Sequence, residues 1–339
     1  MHAPDGFLTA GTAVATGAMS AGAVGAALRA SRDRLADAQI PLAGVAAAFI
    51  FAAQMFNFPI AGGTSGHLLG GALAAILLGP ALGAVVVTVV VVVQALMFAD
   101  GGLTALGYNV LNMAVVTAFG GWAVFRLARR LSPRTLTGVT VATAIAAFTS
   151  VLLSSAAFSL EWLFGASVPI AFDTVFTAMV GVHALIGIGE GVISALVVRS
   201  VLSARPDLVR GAQDLQVTDR QPRVGWRGFA AGCLLVALLF AVGISQFASA
   251  DPDGLEKVAQ EQGIDQAAAD HALRSSLFAD YATQGVSDER ASLAIAGAAG
   301  TLLTLAVGAG LLFAVRDRGR QQRPEGGGGP STRPAPADA

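Results

Sequence analysis

The chain has 339 residues, of which 54% are hydrophobic and only 13% are charged. Soluble domains carry about 25% charged residues, so a soluble protein could not hydrate this much apolar surface, and the composition predicts a protein that lies in a lipid bilayer. The net charge of -1 and the lack of a basic cluster give no indication of nucleic-acid binding, and a single cysteine excludes an internal disulfide and a thiolate metal cluster.

The N-terminal segment is apolar but does not look like a cleavable signal. A secretory signal has a basic stretch before its apolar core, whereas residues 1–28 contain no lysine or arginine. We therefore expect no cleavage. Because removal of the first methionine generally requires a small second residue and His2 is large, we also expect Met1 to remain.

Nine apolar segments follow one another along the chain. A membrane helix needs about 20 residues of this kind, and most of the segments come close to that length. The third is short and Pro80 separates it from the fourth, so the alternative for this pair is one bent helix. The predicted segments are 7–28, 40–56, 67–78, 81–98, 108–127, 137–160, 170–198, 229–247 and 293–315.

Basic residues decide between these alternatives, because membrane proteins carry an excess of Lys and Arg in cytoplasmic loops. Most of the 21 lysine and arginine residues follow the first, fifth, seventh and ninth segments. These four groups of basic residues all lie on one side of the membrane only if the third and fourth segments are two separate crossings. We therefore predict nine crossings of the cell membrane, with the N-terminus outside and the C-terminus in the cytoplasm.

The predicted fold is an all-α integral membrane protein with two modules. We expect a seven-helix bundle in residues 1–199, a cytoplasmic linker in 200–226, a two-helix module in 227–315 and a disordered cytoplasmic tail in 316–339. The second module has an acidic outer insert between its helices. In that insert, Pro-Asp-Gly at 252–254 indicates a turn before a helix.

The first two residues carry the strongest indication of function. The free α-amine of Met1, the amide nitrogen of His2 and the His2 imidazole can close adjacent five- and six-membered chelate rings around a metal ion. A fourth nitrogen would complete a square plane, which suits nickel or copper, and imidazole also suits cobalt. His67, in the glycine-rich segment 62–71 on the same predicted outer face, is the candidate fourth ligand. The alternative for that segment is a helix-capping loop.

Other polar residues could line an ion path or orient a metal ligand. His183 and Glu190 share a helix face inside an apolar segment, where ionisable residues are costly and are usually functional. The alternative for this pair is a structural hydrogen bond between helices. Asp100 could attract cations or simply form a turn. The amide side chains that could orient a ligand are Asn57, Gln94, Asn109 and Asn112.

These residues lie in four motifs that together resemble the CbiM/NikM family, the substrate-binding membrane components of energy-coupling-factor transporters for cobalt and nickel. The resemblance implies a seven-span fold and a metal site made by the Met1 amine, the His2 amide and imidazole, and the His67 imidazole. It also implies a membrane coupling subunit and a pair of ATPases as partners. Ala3 departs from the pattern, which has a larger apolar residue there. The motifs are MHAPDGFL at 1–8, GTSGHLLGG at 63–71, DGGLTALG at 100–107 and HALIGIGEG at 183–191.

The second module resembles the PDGLE domain of the CbiN/NikN small component, through DPDGLE at 251–256. The resemblance implies two helices joined by an outer loop that assists metal capture. The chain has no Walker-type phosphate-binding motif and no hydrolytic site, so we expect a transporter subunit that is not an enzyme, has no resident cofactor and takes Co2+ or Ni2+ as its cargo. Two alternatives are a self-sufficient secondary transporter or channel with His183 and Glu190 as a relay, and a membrane metal sensor whose acidic insert is the reporter.

Overall fold

A computed structural model describes residues 1–32, 39–215 and 222–321 of the protein. The first module contains α1 (Ala10–Arg32), α2 (Gln39–Gln54), α3 (Gly71–Leu78), α4 (Pro80–Phe98), α5 (Leu106–Leu131), α6 (Leu136–Gly165) and α7 (Phe172–Ala204). The second module contains α8 (Trp226–Phe247), α9 (Gly254–Gln262) and α10 (Glu289–Gln321). Short 3₁₀ turns lie at Pro206–Leu208, Arg210–Ala212, Ile264–Ala267 and Ala279–Tyr281.

Within the described ranges, seven helices are long and apolar enough to cross a membrane. They are α1, α4, α5, α6, α7, α8 and α10. The shorter α2 has 16 residues, and nearly all of them except its first turn are buried among other helices. This arrangement confirms the predicted helical, multi-pass membrane protein.

The third predicted segment is only partly helical. Helix α3 has eight residues, well short of the roughly 20 that a complete crossing needs, and the predicted helix is wrong for residues 67–70. Gly70 adopts a φ of 80°, which favours glycine and delays the start of the helix. The chain then reverses at Gly79, so that a Cβ atom on Gly83 would lie 2.6 Å from the nitrogen of Ala75. Helices α3 and α4 therefore fold back on each other instead of forming one bent helix.

A short hairpin interrupts the otherwise helical fold and was not predicted. Strands β1 (Phe58–Ile60) and β2 (Thr64–Gly66) pair antiparallel, with Phe58 opposite Gly66. Gly62 and Gly63 form the connection with φ values of 80° and 66°, which residues with a Cβ atom adopt only at a cost. The hairpin leads directly into the segment that carries His67.

The second module packs against α2 through glycines. A Cβ atom on Gly44 would lie 3.0 Å from the Leu305 carbonyl oxygen, and one on Gly300 would overlap the ring of Phe51. Small residues at helix contacts let the backbones approach closely. The middle of helix α10 is therefore held against the first module.

The predicted boundaries differ from the observed helix ends by a few residues. Helix α7 continues to Ala204, into the predicted linker, whose residues 216–221 lie outside the described part. Helix α10 continues to Gln321, so residues 316–321 of the predicted disordered tail are helical. The rest of the predicted tail, 322–339, lies outside the described residues.

Candidate metal centre

The N-terminal amine of Met1 is buried inside the protein. The residue is 5% exposed, and its nitrogen lies 2.6 Å from Nε2 of His67 and 2.5 Å from Oδ2 of Asp253. The Met1 sulfur accepts a hydrogen bond from the Ser154 hydroxyl at 3.2 Å. The first residue is thus anchored at both ends, and two of the predicted ligand groups are brought into direct contact.

Asn109 fixes the backbone that follows the amine. The Ala3 N–H donates to Asn109 Oδ1 at 2.9 Å, and Asn109 Nδ2 donates to the Ala3 carbonyl at 3.0 Å. Ala3 is 1% exposed, so this smaller residue sits tightly in its place. Two residues later, Asp5 Oδ1 accepts hydrogen bonds from the N–H and the hydroxyl of Thr104, both at 2.6 Å. The loop after α4 therefore holds the N-terminal segment in position.

The His2 imidazole stacks on the His67 imidazole, with ring centroids 5.3 Å apart and planes at 21°. Its Nε2 lies 3.0 Å from Gln94 Oε1, and its Nδ1 lies 3.3 Å from Asp100 Oδ1. Gln94 presents its oxygen here because its nitrogen donates to the Tyr281 hydroxyl. The Gln94 oxygen favours a proton on Nε2, which would leave the lone pair on Nδ1, the atom that a chelate with the His2 amide requires. The Asp100 carboxylate beside Nδ1 favours the opposite tautomer.

Burial sets the charge of His2. It lowers the pKa of this imidazole to about 4, against the opposing attraction of the nearby Asp100 carboxylate. The ring is therefore neutral at physiological pH, which is the form that binds metals. Its Nδ1 faces Asp100 in this structure, so binding alongside the amine would require the ring to turn.

The His67 imidazole is also oriented as a metal ligand. Its Nδ1 lies 3.0 Å from the Leu68 carbonyl and can only donate to that acceptor, which leaves the lone pair on Nε2. The loop that carries it is fastened by Glu190, whose two carboxylate oxygens accept the N–H groups of Leu69 and Gly70 at 2.6 and 2.9 Å. Glu190 thus positions the His67 loop.

Asp253 is a member of the site that sequence reasoning missed. It caps the start of α9, where its Oδ1 accepts the N–H groups of Leu255 and Glu256, and its Oδ2 reaches the Met1 amine. Burial alone would raise the pKa of this carboxyl, but the positively charged Met1 amine holds it well below its ordinary value. The Asp-x-x-Glu capping pattern was visible in the sequence, whereas its partner across the molecule was not.

Backbone pairing holds this part of the second module on the first. The Ser65 N–H donates to the Pro252 carbonyl at 2.9 Å, and the Ser65 hydroxyl donates to the Asp251 carbonyl at 2.7 Å. Farther along the insert, the Ala269 N–H donates to the Asp5 carbonyl at 2.8 Å. The insert therefore covers both the His67 loop and the N-terminal segment.

His183 lies beside this cluster, and the remaining predicted residues lie apart from it. A cavity of about 10 Å³ has Met1, His67, Asp253 and His183 in its wall. The Asn57 backbone carbonyl accepts the N–H of Ser249, and the Asn112 side chain donates to Glu161. His271, which was not predicted as a site residue, accepts the N–H of Leu273 within the insert. None of these three contacts involves Met1, His2 or His67.

The donor set is one of nitrogens more than of carboxylates. The described residues contain no group of three or more His, Cys, Asp or Glu side chains arranged to hold a metal ion. The amine, the two imidazoles and the His2 amide instead offer four nitrogen donors. Such a set fits a planar complex of a divalent transition metal.

Comparison with protein families finds two regions. Residues 2–208 match the family described as the cobalt uptake substrate-specific transmembrane region, CbiM, and residues 227–317 match the PDGLE domain. These regions coincide closely with the two modules of the fold. The two segments that meet in the candidate centre therefore belong to different regions. The His67 loop lies in the CbiM region, and the Asp253 turn lies in the PDGLE domain.

Individual relatives agree with this division. The chain is 36% identical to a candidate fused nickel transport protein NikMN of Archaeoglobus fulgidus, over 91% of this chain and 97% of that protein. It is 33% identical to the cobalt transport protein CbiM of Geobacter sulfurreducens, over 66% of each chain. A crystal structure of a truncated transition metal transporter matches with a TM-score of 0.53 and 30% identity, over 60% of this chain and 99% of that one.

Proposed function

Because the chain belongs to the CbiM family of cobalt-uptake transmembrane regions and carries a PDGLE domain behind that region, we propose that it is the metal-capture subunit of an energy-coupling-factor transporter for nickel or cobalt. The relatives named for nickel and for cobalt transport support this choice of cargo. The observation that carries the proposal is the buried Met1 amine in contact with Nε2 of His67 at 2.6 Å. One cation that replaced the proton between these nitrogens would be bound by both.

In this proposal the ion is held by the Met1 amine, the His2 amide nitrogen, His2 Nδ1 and His67 Nε2. Binding then removes one proton from the ammonium and one from the amide while it adds a dication. The net charge of the centre stays the same, so the Asp253 carboxylate faces one positive charge both before and after binding. Asp253 can therefore keep the insert in place around a loaded site.

The surrounding residues would orient the ligands. Gln94 favours the required His2 tautomer, Asn109 fixes the peptide after it, and Glu190 fixes the His67 loop. Asp100 would attract the cation and compete weakly for His2 Nδ1, 3.3 Å away. Such supporting hydrogen bonds commonly change metal affinity by about 10- to 100-fold.

The distribution of arginines supports capture from outside. Basic side chains from the end of α5 and from the linker line one cavity at the end of the bundle where α3 and α4 join. An excess of basic residues marks the cytoplasmic face, and the metal centre lies at the other end of α4. Release into the cell would then depend on a membrane coupling subunit and ATPases supplied by other chains. The cavity-lining arginines are Arg126, Arg129, Arg130, Arg134 and Arg210.

The test is the addition of one glycine in front of Met1. The extra residue displaces the α-amine from the buried position and changes the chelate rings, so we expect tight Ni2+ and Co2+ binding to be lost in isothermal titration of the purified chain. The control carries the same glycine after Ala339. Unchanged affinity in the N-terminal variant would reject the proposed centre.

A further inference from the structure

His183 has a buried nitrogen that the capture site does not use. The residue is 1% exposed, and its Nδ1 lies 2.7 Å from the Met179 carbonyl in the preceding turn of α7. That acceptor requires the proton to be on Nδ1, so Nε2 carries a lone pair. Nε2 is buried and has no hydrogen-bond partner within the part of the chain that the structure describes. A buried acceptor in this state is unusual and needs a physical explanation.

The cavity beside this ring also belongs to the capture site. It measures about 10 Å³, and its wall includes Met1, His67 and Asp253 as well as His183. A space of this size can hold about one water molecule. Any single occupant would therefore touch His183 together with the groups around the N-terminal amine.

Glycine at position 254 keeps this arrangement open. A Cβ atom there would lie 3.1 Å from Cε1 of His183 and 2.6 Å from Cδ1 of Ile186. The carbon Cε1 is bonded to Nε2, so the free nitrogen is next to the turn that delivers Asp253. The insert of the second module thus closes the cavity without filling it.

We propose that His183 Nε2 is an additional nitrogen donor to the captured ion and that it favours Co2+ relative to Ni2+. The inference rests on the proposed capture function. Four nitrogens in a plane satisfy Ni2+, for which square-planar geometry is characteristic. Co2+ gains more from a further ligand outside the plane, so a nitrogen on one side of the chelate selectively stabilises the cobalt complex.

The test compares the two metals in one variant. His183→Gln fills the same space and can still hold a water molecule, but an amide is a poor substitute for imidazole as a ligand to these metals. Isothermal titration of the purified full chain with Co2+ alone is expected to give an affinity about 10-fold or more weaker than that of the unsubstituted chain. Ni2+ affinity should be nearly unchanged. His271→Gln, in the insert and away from the centre, is the matched control and should alter neither.

The other outcomes separate the explanations. Equal weakening for both metals would indicate a structural role, and unchanged affinity for both would indicate that the cavity holds only water; either result overturns the inference. Loss of cobalt affinity in Asp253→Asn but not in His183→Gln would transfer the ligand role to the carboxylate. The Co2+ absorption spectrum of each folded variant, which reports coordination number, provides a second measurement.

The glycine extension in front of Met1 keeps this test independent of the proposed function. If the extension leaves the affinity for both metals intact, the capture site itself is wrong. If the extension abolishes binding and His183→Gln does not change the preference between the metals, only the role of His183 fails.

Discussion

Replacing Asp253 with Asn is expected to weaken the docking of the second module on the proposed metal centre. The carboxylate lies 2.5 Å from the Met1 amine, and the two side chains are 12% and 3% exposed. At an effective dielectric constant of about 20, unit charges at that distance attract by about 7 kcal/mol. Dehydration offsets much of this, and removal of one partner of a buried pair costs about 3–5 kcal/mol. His67 can still accept from the amine, so we expect the lower value, about 3 kcal/mol.

The substitution changes little besides the charge. Asn is as good an N-cap as Asp, so the hydrogen bonds from Leu255 and Glu256 to position 253 can persist. Docking is reported by the Ser65 amide, which donates to the Pro252 carbonyl across the contact. A loss of about 3 kcal/mol corresponds to roughly 100-fold faster hydrogen exchange at that amide.

Asp251→Asn is the matched control, because this exposed carboxylate lies in the same turn and accepts a hydrogen bond from the Ser249 hydroxyl instead of from the Met1 amine. Its effect on Ser65 exchange should be negligible. If Ser65 exchanges at the same rate in the unsubstituted chain and in Asp253→Asn, or if the control accelerates exchange equally, the ion pair is not what holds the insert.

The ion pair between the Met1 amine and Asp253 should weaken as the pH falls. The positively charged Met1 amine outweighs the effect of burial and holds the pKa of the Asp253 carboxyl well below its ordinary value of 3.8. A carboxyl with a lowered folded-state pKa stabilises the structure above its ordinary pKa, and this contribution is lost as the pH falls toward the lowered value. Protection of the Ser65 amide should therefore decrease below about pH 3.8 in the unsubstituted chain, and Asp253→Asn should lack this step.

Three further outcomes are expected from the proposed centre. His67→Ala should weaken Ni2+ binding in isothermal titration far more than His271→Ala, and the reverse order would reject the ligand assignment. Binding near pH 7 should release about two protons per metal ion, one from the amine and one from the amide. His2 should release none, because its pKa of about 4 leaves the ring neutral at this pH. A pH indicator measures the released protons, and metal affinity should rise with pH. The amide in Glu190→Gln can accept only one of the two backbone N–H groups well, so metal affinity should fall by about 10- to 100-fold. Circular dichroism should show that α7 stays intact. An unchanged affinity would show that the His67 loop keeps its conformation without Glu190.

Local sequence determined the parts of this protein that depend on neighbouring residues. The low charge and the apolar segments indicated a helical membrane protein, because lipid accepts only backbone that satisfies its own hydrogen bonds. The proposed chelating unit of Met1 and His2 was recognisable because its donors are adjacent along the chain. The start of α9 at Asp253 was likewise expected, because a turn and an N-cap are local features.

Only the tertiary structure decided what surrounds those residues. Asp253 meets an amine 252 positions earlier in the chain, and no local pattern could have specified that contact. Glu190 and His183 share a helix face, but the oxygens of Glu190 accept the backbone of the His67 loop, whereas Nε2 of His183 has no hydrogen-bond partner among the described residues. A sequence identifies which groups are available, but burial and the approach of distant segments determine their partners, their protonation and thus their chemistry.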